Sequence, residues 1–317
     1  MIISKTPLRI SFVGGGTDHI YTEKNFGSVI VSSIDKFIYI ALNNNYLKNY
    51  KISYSVKEEC NNLSDIKHKI FRETLRYFQA KQGIELTSLS DVTARGSGLG
   101  SSGSFLVGLI NILSFKKKLR LSKHKIAQIA HMIETIKCKN ISGKQDQYQA
   151  IYGGFNQINF LPGGNVKIIK LDVKKSILNK FQENLLIFNT GITRDSYKIY
   201  KNRREKLINV KKMVGLVEDF KKSLLSGNLD DCGSILDLGW SIKKQFEKNT
   251  SNDFIDYCYE IAKKNGAIGG KILGAGNGGF LLFYCKKENQ EKLIKNLNFI
   301  KKLDFKFYYS GSKIFTI

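Results

Sequence analysis

At 317 residues the chain exceeds what one hydrophobic core usually serves, so two domains are expected. Its 42% hydrophobic and 25% charged residues are ordinary globular composition. The 51 Lys+Arg against 27 Asp+Glu leave a net charge of +24, but the basic residues are scattered and form no single tract, which argues against a nucleic-acid binder.

The five cysteines, Cys60, Cys138, Cys232, Cys258 and Cys285, are widely spaced with no C-x-x-C, and read as small buried hydrophobes in a reducing compartment. Met1-Ile2-Ile3 begins without the basic and apolar blocks of a signal peptide, and no apolar run reaches membrane-spanning length. A cytoplasmic protein with no membrane partner is expected.

In chain order, Ile2 to Val13 reads as a strand containing Pro7 and ending in Gly14-Gly15-Gly16-Thr17-Asp18-His19, a turn where backbone can touch a ligand. Val29 to Val31 and Phe37 to Leu42 read as two strands. Lys67 to Ala80 has helical spacing and stops before Gly83, and Ile84 to Thr93 is extended. Phe105 to Phe115 is apolar almost all round and predicts a buried helix. Ser122 is an N-cap for a helix carrying Ile126, Ile129, Ala130 and Ile133, with Glu134 at the edge of the stripe.

Ile141 to Tyr148 follows and reads as a loop around Asp146, before the glycine turn Gly153-Gly154 and a strand to Phe160. Leu161 to Asn165 reads as a hairpin connection, and Asn184 to Asn189 as a buried strand ending in Thr190-Gly191-Ile192-Thr193-Arg194. Helical patterns then cover Leu207 to Gly227, Leu229 to Phe246 and Asp253 to Lys264. A glycine run from Gly266 to Gly279, a strand to Tyr284, a helix near Gln290 to Leu297 and a strand near Phe305 to Tyr309 complete the chain. Strands and helices mix without regular βαβ alternation, which predicts an α+β architecture.

The stretch Arg95-Gly96-Ser97-Gly98-Leu99-Gly100-Ser101-Ser102-Gly103 stands where a strand gives way to the apolar helix. Exposed amides of a helix N-terminus and residues without Cβ suit phosphate. Gly98-x-Gly100-x-x-Gly103 satisfies the dinucleotide pattern, but no Asp or Glu occurs between Asp91 and Glu134 to hold a ribose. The P-loop sequence and the protein-kinase elements are missing too. A third kind of phosphate cradle remains, marked by Ser101-Ser102 at the helix start.

That segment resembles the second signature of the GHMP kinases, the superfamily of galactokinase, homoserine kinase and mevalonate kinase. Pro7 to His19 resembles the first signature and Lys271 to Phe280 the third, so three motifs in family order span almost the whole chain. Gly14 to Asp18, Gly143 to Gln147 and Thr190 to Arg194 look like the branch that contains heptose 7-phosphate kinases and is similar to fucokinase domains.

The resemblance implies a two-domain fold, residues 1–170 ribosomal-protein-S5-domain-2-like and 171–317 ferredoxin-like, with ATP between them. It implies an ATP- and Mg²⁺-dependent kinase acting on the anomeric hydroxyl of a small sugar phosphate, as a monomer or homodimer. The product would feed nucleotide-heptose synthesis for surface polysaccharide. Asp146 is then the base or orienter, and Arg9 stabilises charge on the transferring group or tunes Asp146. Arg95 to Gly103 would bind the ATP phosphates, with Mg²⁺ on Glu134 and the Ser102 hydroxyl, or that of Ser101 as the near alternative. Substrate is expected against Gly15, Gly16, Thr17, Asp18, His19, Thr190, Gly191, Arg194, Gly274, Ala275 and Gly276, with Arg194 facing the sugar phosphate. A kinase for fucose or another hexose, or a non-catalytic sensor on this fold, are the competing readings.

Overall fold

A computed structural model describes residues 1–18, 26–92, 96–193, 207–246 and 250–317, with 207–209 and 246 described by backbone alone. The first elements are β1 (Ile2–Val13), β2 (Gly27–Asn44), β3 (Tyr50–Ser53), β4 (Lys57–Cys60), α1 (Lys69–Tyr77), β5 (Ile84–Ser90) and α2 (Ser101–Lys116). Next come α3 (Lys123–Met132), α4 (Gln145–Tyr152), β6 (Phe155–Phe160), β7 (Val166–Lys170), α5 (Lys175–Glu183) and β8 (Leu185–Asn189). The remainder holds α6 (Leu207–Ser226), α7 (Leu229–Phe246), α8 (Asp253–Lys264), β9 (Ala267–Ile272), β10 (Phe280–Cys285), α9 (Lys287–Asn296), β11 (Lys301–Lys302) and β12 (Lys313–Thr316).

The first sheet runs β12-β1-β2-β5-β3-β4, with β6 pairing β2 and β7 pairing β6. The two runs read as separate strands from Val29 and Phe37 are one strand, β2. Its register against β1 shifts between Pro7 and Leu8, whose partners are Phe37 and Ile34. Pro7 has no amide hydrogen to give the ladder, which suits it to such an irregularity. The bulged Asp35 is taken up by the tail, exchanging backbone and side-chain hydrogen bonds with Lys306 at 2.9 and 2.7 Å.

Helix α2 lies against β1 and β2, and its Leu106, Val107, Leu109, Ile110 and Ile112 are fully buried, as its apolar sequence predicts. The Ser122 hydroxyl caps α3 by accepting from Lys125 N. The second sheet, β11-β8-β10-β9, is antiparallel throughout. Every strand of it follows residue 170. The tail is not part of it: β12 pairs with β1 from Ile2↔Thr316 to Lys5↔Lys313, a membership that a single cut at residue 170 does not express. This return covers the edge of β1, where unpaired backbone groups would otherwise face solvent.

Two further local expectations are corrected. Asp146 lies in the first turn of α4, not in a loop. The first part of the glycine run, which its sequence assigns to no element, is the strand β9. The strand expected near Phe305 to Tyr309 reduces to one bridge, Ile34↔Phe307, because the segment runs across β2 before β12 begins. All five cysteines are free thiols, and all but Cys60 are buried. Among the described residues no helix is long and apolar enough to cross a membrane.

Phe12, at the end of β1, joins the layers. Its ring lies 5.3 Å from that of Phe155, 5.4 Å from Phe181 on α5 and 5.8 Å from Phe220 on α6. Truncation leaves a cavity that rigid neighbours on three elements cannot fill. Phe12→Ala is expected to destabilise the chain by about 3–5 kcal/mol in urea unfolding, and a loss under ~1 kcal/mol would show that the layers repack around it.

Candidate active site

Among the described loop residues, the phosphate-loop segment Gly96 to Gly100 is gripped from both sides. Arg9 N donates to Leu99 O at 2.9 Å, and Phe280 N donates to Ser97 O at 3.2 Å. Leu99 is itself fully buried, so it anchors the loop instead of facing a ligand. Inside the loop the Ser97 and Ser101 hydroxyls bond each other at 2.8 Å, and Leu99 N donates to Ser97 Oγ at 3.2 Å. Helix α2 starts at Ser101, so its first amides open toward the cavity in front of the loop.

That cavity has a volume of about 1050 Å³ and brings together residues far apart in the chain: Arg9, Asp18, Ser102, Glu134, Asp146 and Gly274 all line it. Gly15, Gly16, Gly96, Ser97, Gly98, Gly100, Ser101 and Ala275 line it too. Thr17, Thr190 and Gly276 are not among its walls. The Thr17 hydroxyl donates to the carbonyls of Gly14 and Ser28, at 2.9 and 3.0 Å, and accepts from Ser28 N. Thr190 Oγ1 donates to Gly279 O at 2.8 Å. These threonines hold turns together, and Gly191 N joins them by donating to Asn189 Oδ1 at 3.0 Å. His19, Arg95 and Arg194 lie outside the described residues.

Arg9 Nε and Nη2 both reach Asp146 Oδ1, at 2.8 and 2.7 Å, and Nη1 donates to Gly98 O. Among the described residues no donor contacts Asp146 Oδ2, and the side chain is 23% exposed in the cavity wall. The carboxylate is thus oriented through one oxygen and open at the other. Gly103 makes this placement possible: a Cβ there would lie 2.6 Å from Asp146 Cβ. Gly143 does the same for Asp18, whose Oδ2 would meet a Cβ at 1.9 Å. Asp18 Oδ2 accepts from Gln145 N at 3.1 Å, so it secures the start of α4 as well as lining the cavity.

After α3 the helix widens into a π-turn, Ile133–Lys137, that carries Glu134. Ser102 Oγ donates to Glu134 Oε1, and Gln147 Nε2 donates to Oε2 at 2.6 Å. Of the two loop hydroxyls, Ser102 is therefore the one that meets the carboxylate. Burial pushes the Glu134 carboxyl above its usual range, partly opposed by the bonds from Ser102 and Gln147. Among the described residues no cation ion-pairs it. A buried carboxylate and a hydroxyl, hard oxygen donors without a counter-charge, fit Mg²⁺. No cluster of three or more His, Cys, Asp or Glu forms among the described residues, so further ligands would be phosphate and water, as Mg²⁺ prefers.

One part of the cavity wall is aromatic. The His68 ring packs against Tyr54, Phe71 and Phe105 at 4.6, 5.0 and 5.4 Å, and burial pushes its pKa down, opposed by nearby Glu58. Tyr54, His68, Ile70 and Phe105 line the cavity, as do Ser90 and Asp91. Nothing in the spacing of Tyr54 and His68 marks them, because they meet only in three dimensions. In the sequence Gln147 closes a branch motif and Lys271 opens the third signature without an individual role, and Lys243 lies in no motif, yet both lysines line the cavity. A lysine inside the glycine-rich apolar run was the available signal for Lys271.

These features define a nucleotide-dependent phosphotransferase site, and the chain belongs to the GHMP kinases. Residues 66–154 match the GHMP kinases N terminal domain and 220–300 the GHMP kinases C terminal domain. Over its full length the chain is 31% identical to the D-glycero-alpha-D-manno-heptose 7-phosphate kinase of Campylobacter jejuni, covering 99% of that protein. It is 25% identical to a mevalonate kinase of Saccharolobus solfataricus, over 94% of each chain. A Bacteroides thetaiotaomicron D-glycero-D-manno-heptose 1-phosphate kinase superposes with a TM-score of 0.84 at 23% identity, over 100% of this chain and 99% of that one, and shows the shared two-domain α+β fold.

The raised Glu134 carboxyl makes a stability prediction. The folded state holds this proton above the ordinary value of 4.5, so stability is lost as pH rises from there through the raised value. Glu134→Gln should therefore melt above the parent at pH 8, and the gap should close as pH falls toward 4.5. A variant that melts lower at pH 8 would show that the ionised carboxylate is already compensated.

Proposed function

We propose that this protein transfers the γ-phosphoryl group of ATP to the anomeric hydroxyl of D-glycero-D-manno-heptose 7-phosphate, giving the 1,7-bisphosphate for nucleotide-heptose synthesis. The observation that carries the chemistry is the meeting of the Arg9–Asp146 pair with the N-terminus of α2 in one cavity. The acceptor rests on the full-length similarity to the Campylobacter jejuni heptose 7-phosphate kinase.

The aromatic wall around Tyr54, His68 and Phe105 suits the adenine, and leaves the triphosphate pointing at the loop. Loop amides and the α2 N-terminus hold the phosphates. Ser102 and Glu134 would hold Mg²⁺, which would offset the charge of the triphosphate. Asp146 Oδ2 accepts the hydrogen of the anomeric hydroxyl as that oxygen attacks the γ-phosphorus, the bond from phosphorus to the β,γ-bridging oxygen breaks and ADP leaves, while Arg9 fixes Oδ1. The guanidinium, beside the loop, also offsets charge on the transferring group.

ATP consumption is to be screened over heptose 7-phosphate, fucose, galactose, mannose and mevalonate, with the product read by phosphorus NMR. Heptose 7-phosphate should lead, with new phosphate at C1, and preference for mevalonate or a free hexose would sink the acceptor assignment. Asp146→Asn should lower kcat by roughly 10²- to 10⁴-fold with KM for ATP little changed. Turnover near the parent's would remove Asp146 from proton transfer.

A further inference from the structure

Two buried lysines of the cavity, Lys271 and Lys243, are not used by the chemistry above. Lys271, on β9, is 7% exposed and lines the cavity together with Lys243 of α7, which is 6% exposed. Its ammonium donates to Phe12 O at 2.7 Å, and among the described residues no carboxylate ion-pairs it. Lys243 Nζ donates to Gly274 O at 2.6 Å. Burial first, then the charges of Lys243 and Arg9, pushes the Lys271 amine well below its ordinary pKa. Arg9, Lys243 and Lys271 thus line one space, in which Arg9 ion-pairs Asp146.

We propose that Lys271, with Lys243 beside it, holds the phosphate group that the acceptor sugar already carries. This rests on the reading of the acceptor as a sugar phosphate. A tie to the Phe12 carbonyl alone needs only a neutral donor, and burying an ammonium costs more than one such bond returns. A dianionic phosphate supplies the missing counter-charge and takes the remaining ammonium hydrogens. Position favours the acceptor over the donor. Lys271 Nζ lies 3.9 Å from where a Cβ on Gly15 would stand, and Phe12 leads into the Gly14 to Asp18 turn. The donor phosphates have their own cradle at Gly96 to Ser102.

Lys271→Gln keeps a donor for the Phe12 carbonyl and removes the charge, whereas Lys271→Arg keeps the charge. The glutamine variant should raise KM for heptose 7-phosphate by roughly 10- to 100-fold, with KM for ATP and for the same heptose without phosphate changed less than about threefold. The arginine variant should recover part of that loss. Equal effects on both acceptors would make Lys271 a structural tie, and an effect on ATP would move it to the donor; either overturns the proposal. A second arm needs no knowledge of the sugar. With the nucleotide site filled by a non-hydrolysable ATP analogue, inorganic phosphate should raise Tm of the native chain by about 2 °C, and of the glutamine variant by much less. If heptose 7-phosphate is no substrate, the acceptor reading fails, but loss of this shift still supports the anion subsite. An undiminished shift in the variant overturns it.

Discussion

Arg9 is the residue on which the site's geometry depends. Its backbone amide holds Leu99 O, one guanidinium nitrogen holds Gly98 O, and two others hold Asp146 Oδ1. Strand β1, the phosphate loop and helix α4 are therefore located by one residue that is 4% exposed. A buried guanidinium left without any of these partners is heavily penalised, so the three segments cannot drift independently. Under the proposed function, loop amides and the Asp146 carboxylate are held in place in the way that electrostatic preorganisation requires.

Away from Arg9 the cavity is electrically incomplete. Among the described residues Glu134 is buried with hydrogen-bond donors but no cation, and Lys271 with a carbonyl but no anion. Burial shifts each toward its neutral form, the carboxyl upward and the amine downward. Each deficit is of the kind a substrate could fill: a metal-bound triphosphate on one side, an anionic acceptor on the other. The low dielectric around these two groups would strengthen their attraction to a complementary charge.

The sequence displayed the three glycine motifs, the apolar helix α2 and the Ser122 cap because each depends on local backbone preference or on one helical stripe. It hid what depends on distant packing. Asp146 was read as a loop residue because Gly143 and Gln145 suggest a turn, yet Asp18 supplies the acceptor that lets α4 begin at Gln145. β9 was hidden by Gly269 and Gly270, which are small because Asp237 and Phe283 press on them. Helix α5 buries only Leu178 and Phe181, too thin a stripe to stand out. Thr17 and Thr190 resemble ligand-facing hydroxyls in sequence, and only the carbonyls across their turns reveal where they point.

The glycines of these motifs also have a second role that phosphate binding does not explain. Gly103 has its helix passing so near α4 that a methyl group would strike Asp146, and Gly143 similarly faces Asp18. Neither position needs a left-handed backbone, so conformational freedom is not the reason for glycine. The constraint is space: two carboxylates must reach the cavity wall from α4 and the β1 turn while the loop and α2 occupy the same few ångströms. In this chain the absence of a side chain at 103 and 143 positions acidic groups as directly as Arg9 does, by permitting the approach that the ion pair then fixes.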